Sequence, residues 1–344
     1  MIDEEQPLDE AALFLENQDK IYGKNVDINE AIKTAPPAPP APPAPVTSLG
    51  NALTPMLEST IGGPNDSLWK NVPIENLPSK GLFYPADAEI TIKAATVAEI
   101  RHWSTIDDSD ILDIDDKLNY VIEKCSRFKI KGGTSWLSWR DISELDRVAI
   151  IFLIQELTFP ADQNSLFAEF ECTESCKGPL KWKDSVKIKS SMLNFIDLPE
   201  EVMKYYSAEY KCFEVKSEKL NETFYLYMPT IGAIERLRSR LSEAQSKNRK
   251  PDMAFLSIAS YLIQDWQSFT QQEYYNLINT SYAWHINKFT FIKKFTELIE
   301  NARESVVNTV CPNCGNKITS PLFTQSSFTF RDFFLISGGL DELI

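Results

Sequence analysis

The chain is poor in the residues that most often do chemistry. Its 344 residues include only two histidines. His102 precedes Trp103 and His285 follows Trp284, and no serine or cysteine motif points to either. Packing is expected at both, not catalysis. A Gly-rich phosphate loop and a dinucleotide fingerprint are also missing. Positive charge is in short supply: 35 Lys and Arg face 49 Asp and Glu, for a net charge of −14. Nucleic-acid binders draw most of their affinity from a basic face against phosphate, so no nucleic-acid partner is expected. No apolar run approaches the roughly 18 residues that would span a bilayer, so no membrane span is expected. The first residues, Met1-Ile2-Asp3-Glu4-Glu5, are acidic. A secretory signal opens basic and continues apolar, so the protein is expected to stay in a reducing compartment. Six cysteines there read as metal ligands or buried thiols before disulfides. The acidic run from Asp107 to Asp116 lacks the central glycine and terminal glutamate of a calcium loop. Carboxylates that favour a helix dipole account for it.

What is present is core-forming. Apolar residues make up 43%, with 20 Phe, 12 Tyr and 7 Trp. The length suggests two or three structural units. Residues 1–34 form an acidic arm, with nine acidic and three basic side chains over 1–33. Leu8, Ala12, Leu13 and Leu15 give it only a sparse apolar stripe, so a disordered arm is expected, or a helix that folds on a partner. Residues 35–72 are a linker. Its Ala-Pro-Pro repeat over 35–45 fixes φ and withholds amide donors, which dictates a polyproline II spacer of roughly 30 Å. The remainder, 46–72, is expected to be loosely ordered.

Residues 73–160 read as an N-terminal α/β region. Ile90 and Ile92 alternate as a strand, and Thr96 to Glu99 is a capping box opening a helix of about ten residues. A second helix over roughly 115–126 should bury Leu118, Val121, Ile122 and Cys125. A third opens near Ser143 and ends before Pro160. Residues 161–344 alternate strands with an inserted helical block, 231–301, which holds a second capping box at Thr270. Strands are expected at 167–170, 186–188, 305–310 and 322–330, with a hairpin over 209–217 and 223–228. The fold class is therefore α+β: a mixed helical and small-sheet body with a disordered N-terminal arm.

One constellation carries chemistry. Cys172 and Cys176 are separated by three residues, and Cys311 and Cys314 by two. Zinc takes four soft ligands in a tetrahedron, and cysteines so spaced reach one ion from a tight turn. Gly315 lets the backbone turn sharply beside the metal, and Pro312 pre-sets φ. A redox motif would need a helix to follow the pair, but Asn316 to Thr319 leads into a strand-like run. The expected site is one structural zinc on Cys172, Cys176, Cys311 and Cys314. It forms a zinc ribbon split by 134 residues, with the helical block inserted between its knuckles. Four thiolates leave no open coordination position for catalysis. No catalytic residue and no organic cofactor site is identified, so the protein is expected not to be an enzyme. Cys125 and Cys212 lie on apolar periodicities and read as buried small hydrophobes. Arg236, Arg238, Arg240, Lys247, Arg249 and Lys250 form a basic cluster, read as a solvated helix face or a seat for an acidic partner or the protein's own acidic arm.

Residues Leu77-Pro78-Ser79-Lys80-Gly81-Leu82-Phe83-Tyr84-Pro85, then Ile90-Thr91-Ile92 and Ala98-Glu99-Ile100, resemble the opening of the T-even-type bacteriophage baseplate hub proteins. The cysteine pairs and the run Phe330-Arg331-Asp332-Phe333-Phe334 are compatible with that family. The resemblance covers roughly 72–344; the arm and its proline spacer are an addition to the simpler pattern. It implies a structural or assembly component of a contractile tail baseplate hub. Its partners would be other baseplate or tail proteins, the tape-measure protein among them. It would occupy the host cytoplasm during assembly, and the virion baseplate if retained. Two alternatives are a transient assembly chaperone for the hub or tape measure, and a zinc-ribbon transcription adaptor using Lys181, Lys183, Lys187 and Lys189.

Overall fold

The computed structural model describes residues 46–48, 68–132, 136–159, 167–172, 183–188, 193–246, 252–302, 305–321 and 330–334. The acidic arm and the proline run lie outside these. The chain divides into Met1–Pro43 and Ala44–Ile344, and the fold below is that of the second unit. The described strands are β1 (Val46–Ser48), β2 (Lys70–Val72), β3 (Ala88–Ile92), β4 (Ser126–Ile130), β5 (Trp136–Leu137), β6 (Phe167–Glu171), β7 (Lys183–Lys187), β8 (Leu193–Ile196), β9 (Tyr206–Ser207), β10 (Cys212–Ser217), β11 (Glu222–Leu226), β12 (Ser305–Val310) and β13 (Lys317–Pro321). The helices are α1 (Val97–Trp103), α2 (Ile111–Cys125), α3 (Glu144–Thr158), α4 (Glu200–Met203), α5 (Ile231–Ser246), α6 (Met253–Ala259), α7 (Gln271–Tyr282) and α8 (Ile286–Ala302). The α+β expectation holds: small antiparallel sheets alternate with helices.

The first layer is the sheet β2-β3-β4-β5. Its register sets Val72 opposite Ile90 and Ile90 opposite Phe128. The period-2 pattern therefore turns these three and Ile92 to one side, where all are buried. Helices α2 and α3 cover that side. Thr96 and Glu99 close the capping box that starts α1, and Ser143 caps α3 through the Leu145 amide. Helix α3 buries residues almost all round, from Ala149 through Ile154, as a central core helix must. Leu118, Val121, Ile122 and Cys125 of α2 are buried, as the periodicity required. A second core joins the hairpin β10–β11 to α8 through Phe213, Val215, Leu226, Ile292 and Phe295. The smallest joins α5 to α6 through Leu237, Phe255 and Ile263.

Several boundaries differ from the sequence reading. Helix α1 has seven residues, because Ser104 ends it. Strand β13 occupies Lys317–Pro321, so the last strand precedes the expected 322–330, most of which lies outside the described residues. Phe330–Phe334 is a short 3-10 helix. The segment 46–72 is not loose throughout: β1 pairs with β8, and β2 pairs with β3. The sequence signal failed there because each strand has three residues, too few to establish a period.

Three buried features tie distant parts of the chain together. Leu77, Ser79 and Tyr84 are all buried in the turn after β2. The Ser79 amide and hydroxyl donate to Asp146 on α3 at 2.7 and 2.6 Å, and the Tyr84 hydroxyl donates at 2.6 Å. Gly81 is required there twice over: its φ is +73, and a Cβ would lie 2.7 Å from Ile74. Phe333 and Phe334 pack edge-on or tilted against Trp103, and Phe333 also meets Phe152. The Trp103 indole donates to the Phe330 carbonyl at 2.8 Å. Finally, Asp115 and Arg147 form a buried ion pair that Glu144 and Arg238 join.

Candidate metal centre

Two strand pairs deliver cysteines to one place. Strand β6 pairs with β7 and ends at Glu171, so Cys172 leaves the sheet edge directly. Strands β12 and β13 pair from Val306–Pro321 to Val310–Lys317, and Cys311 to Gly315 forms the turn between them. The turn is closed by the Cys311 amide to the Asn316 carbonyl and the Gly315 amide to the Cys311 carbonyl, each 2.9 Å. Gly315 has φ +74 with open space around its Cα. The left-handed backbone, not crowding, is what favours glycine there. Strand β6 packs beside β13, which brings the two cysteine segments together.

The sulfur atoms of Cys172, Cys311 and Cys314 all lie within 4.8 Å of one another. Cys172 Sγ and Cys314 Sγ are 3.6 Å apart. Cys172 and Cys311 are buried, and Cys314 is half-buried. So three of the four cysteines expected to share a site do converge. Cys176 lies outside the described residues. Cys125 and Cys212 are buried away from this cluster, as their periodicities implied.

The electrostatics of the cluster favour a cation. Burial pushes the Cys172 thiol up to about 12, with the neighbouring sulfurs of Cys314 and Cys311 adding to it. Burial also raises Cys311, but the Asn313 and Cys314 amides point at its sulfur and hold it down to about 7. Three thiols crowded together cannot all ionise against one another without a counter-charge. A metal ion supplies that charge and replaces their protons. The donor set is all sulfur on described strands and turns, and these three cysteines can bind a metal ion.

The other residues singled out from the sequence lie elsewhere. His102 packs against Tyr120 with the rings tilted and their centroids 4.0 Å apart, and its pKa is lowered by burial and by Lys117. His285 accepts the Asn287 amide at the start of α8. In the acidic run, Asp110 caps α2, Asp113 accepts the Asp107 amide, and Asp115 is the buried partner of Arg147. In the basic cluster, Arg238 meets Asp115 and Arg240 meets Glu243 at 3.1 Å. Arg236 lies 6.0 Å over the Trp266 ring. The described half of that cluster is thus engaged within the fold, and the residues from Lys247 to Lys250 lie outside the described set. No helix among the described residues is long and apolar enough to cross a membrane. No family model, curated protein or solved structure matches the chain.

Proposed function

We propose that the chain is a structural or assembly component of a contractile phage tail baseplate hub, working through protein contacts and not through catalysis. The observation that carries this reading is how the family-like segments are used. Between Leu77 and Tyr84, the serine, glycine and tyrosine all serve the fold. Ser79 and Tyr84 bind Asp146, and Gly81 makes the turn. Ala98-Glu99-Ile100 lies on the helix that ends at Trp103, and Phe330–Phe334 docks on that Trp. The segments of the resemblance therefore hold one core together, and they are not scattered surface matches.

Zinc is the metal this reading assigns, with Cys176 completing a tetrahedron begun by Cys172, Cys311 and Cys314. Zinc–thiolate bonds of about 2.3 Å place tetrahedral sulfurs roughly 3.8 Å apart, and the Cys172–Cys314 separation of 3.6 Å fits. The ion would clamp β6 to the β12–β13 turn and so close a loop of more than a hundred residues. Constraining so long a loop is most effective in the unfolded chain. A split zinc ribbon is the resulting element.

The acidic arm is proposed as a tethered second contact. A contact tethered through the chain would raise avidity without strong intrinsic affinity. The test is complementation of a phage that lacks the gene, with mass spectrometry of the purified virions. The full chain is expected to restore infectious particles and to be found in their baseplates. Restoration with the chain absent from finished particles would favour the assembly chaperone. Failure of a folded, zinc-loaded chain to restore assembly would contradict the baseplate reading.

A further inference from the structure

A cleft of about 260 Å³ opens beside the N-terminus of α3, with Tyr84 and Ser143 in its lining. Phe83 lines it from the turn that carries the family resemblance. Tyr210 and Lys211 line it from the turn joining β9 to β10, and Tyr227 and Gln264 complete the polar lining. Thr230, whose hydroxyl accepts the Ala233 amide at the start of α5, also faces it. Small-molecule sites generally run from about 300 to 1,000 Å³, so this cleft suits one or two side chains better than a cofactor.

Three of its polar side chains, Lys211, Tyr227 and Gln264, are unspent. Among the described residues, the Lys211 ammonium has no carboxylate partner, and neither the Tyr227 hydroxyl nor the Gln264 amide makes a hydrogen bond. The acidic residue in the lining, Asp141, is already committed: the Trp266 indole donates to one oxygen at 2.6 Å and the Ser138 amide to the other at 2.9 Å. Lys211 is held at φ +52, a left-handed backbone conformation that glycine or asparagine adopts more easily than lysine. A lysine kept at such a position suggests a use for its side chain. Tyr210 is 52% exposed and Tyr225 37%, and their rings meet edge-on at 5.8 Å, an apolar rim beside the cation. A free cation, two free hydrogen-bonding groups and an aromatic rim together describe a seat for a carboxylate with an apolar neighbour.

We propose that this cleft binds an acidic–apolar segment of a partner protein, with one Asp or Glu carboxylate set against Lys211, Tyr227 and Gln264, and an adjacent apolar side chain against Tyr210 and Phe83. This stands independently of the baseplate reading, since it rests only on the cleft. The test uses the full chain, immobilised, and two pools of acetylated, amidated pentapeptides of the form X-Φ-Glu-Φ-X and X-Φ-Gln-Φ-X, where Φ is Leu, Phe or Tyr. The Glu pool is expected to be retained about tenfold more strongly, the difference expected of a charge-assisted bond. Lys211→Asn, chosen because asparagine adopts the left-handed backbone more easily, is expected to bring the two pools to parity with the melting temperature unchanged or raised. Tyr210→Ala is expected to weaken the Glu pool several-fold and to leave its dependence on Glu intact. Equal retention of the two pools by the unaltered chain would overturn the proposal, as would a Glu preference that survives Lys211→Asn. Displacement of the Glu pool by free glutarate at the same concentration would also overturn it, because the site would then be one for small carboxylates.

Discussion

Replacing Asp146 by Asn separates the cost of a buried charge from the value of its hydrogen bonds. Asp146 is fully buried and accepts three bonds, from the Ser79 amide, the Ser79 hydroxyl and the Tyr84 hydroxyl. Burial raises its pKa from 3.8 to about 6, even though those three bonds pull it the other way. The folded state therefore binds this proton more tightly than the unfolded chain does. A raised folded pKa means that stability is greatest at low pH and is lost as pH rises through about 6. A shift of about two units corresponds to about 3 kcal/mol at full ionisation, of which about 1 kcal/mol develops between about pH 5.5 and pH 8. An asparagine mimics the protonated carboxyl and does not titrate, and the Ser79 and Tyr84 hydroxyls can reorient to meet it. Asp146→Asn should therefore gain about 1 kcal/mol on the unaltered chain across that interval, whatever its offset at pH 5.5. The assay is urea unfolding followed by tryptophan fluorescence, with both proteins measured at each pH so that other titrations cancel. A gap that stays constant, or that moves in favour of Asp146 as pH rises, is the contrary outcome. It would mean that the hydroxyls and the amide outweigh desolvation.

Four further outcomes follow from particular contacts. Phe334→Ala should cost about 3–5 kcal/mol by urea unfolding, because it empties a fully buried site against Trp103 and Phe159. Gly232→Ala should destabilise far more than Gly315→Ala in a thermal melt. A Cβ at 232 would lie 2.4 Å from the Trp266 ring, whereas at 315 it meets nothing and only the left-handed backbone, worth roughly 1–2 kcal/mol, is at stake. Thr96→Ala should cost about 1 kcal/mol by removing the hydroxyl half of the capping box, read by the same unfolding curve. Deleting residues 1–43 should leave the melting temperature unchanged, whereas removing Val46–Ser48 as well should lower it by taking a strand from β8.

Much of the body was legible because local signals were strong. Both capping boxes, the buried face of α2 and the hairpin over β10 and β11 follow from side-chain types at fixed spacings. Asn221 at φ +49 makes the hairpin turn where the sequence placed it. Three of the four cysteines could be placed together because two- and three-residue gaps have one common use. What stayed hidden depends on partners far away in the chain. Nothing near Asp146 announces that Ser79 and Tyr84, more than sixty residues earlier, will bond to it. An apolar end from Phe333 onward suits docking on the body or on a neighbour, but nothing in the run names Trp103 as the partner. The basic cluster looked like a solvated face because the sequence could not reveal that Arg238 is spent on Asp115. Lys211, isolated between Tyr210 and Cys212, carries no motif; only the fold sets it beside Tyr227 and Gln264.

The proposed zinc would clamp β6 to the β12–β13 turn. Elemental analysis of freshly reduced, full-length protein by inductively coupled plasma mass spectrometry tests it most directly, run beside a melt with and without chelator. One zinc per chain is predicted. Chelation should lower the melting temperature sharply, and Cys314→Ser should bind less than half the metal and lose several kcal/mol of stability. A cooperatively folded chain with no bound metal and a melt indifferent to chelator would rule out the zinc.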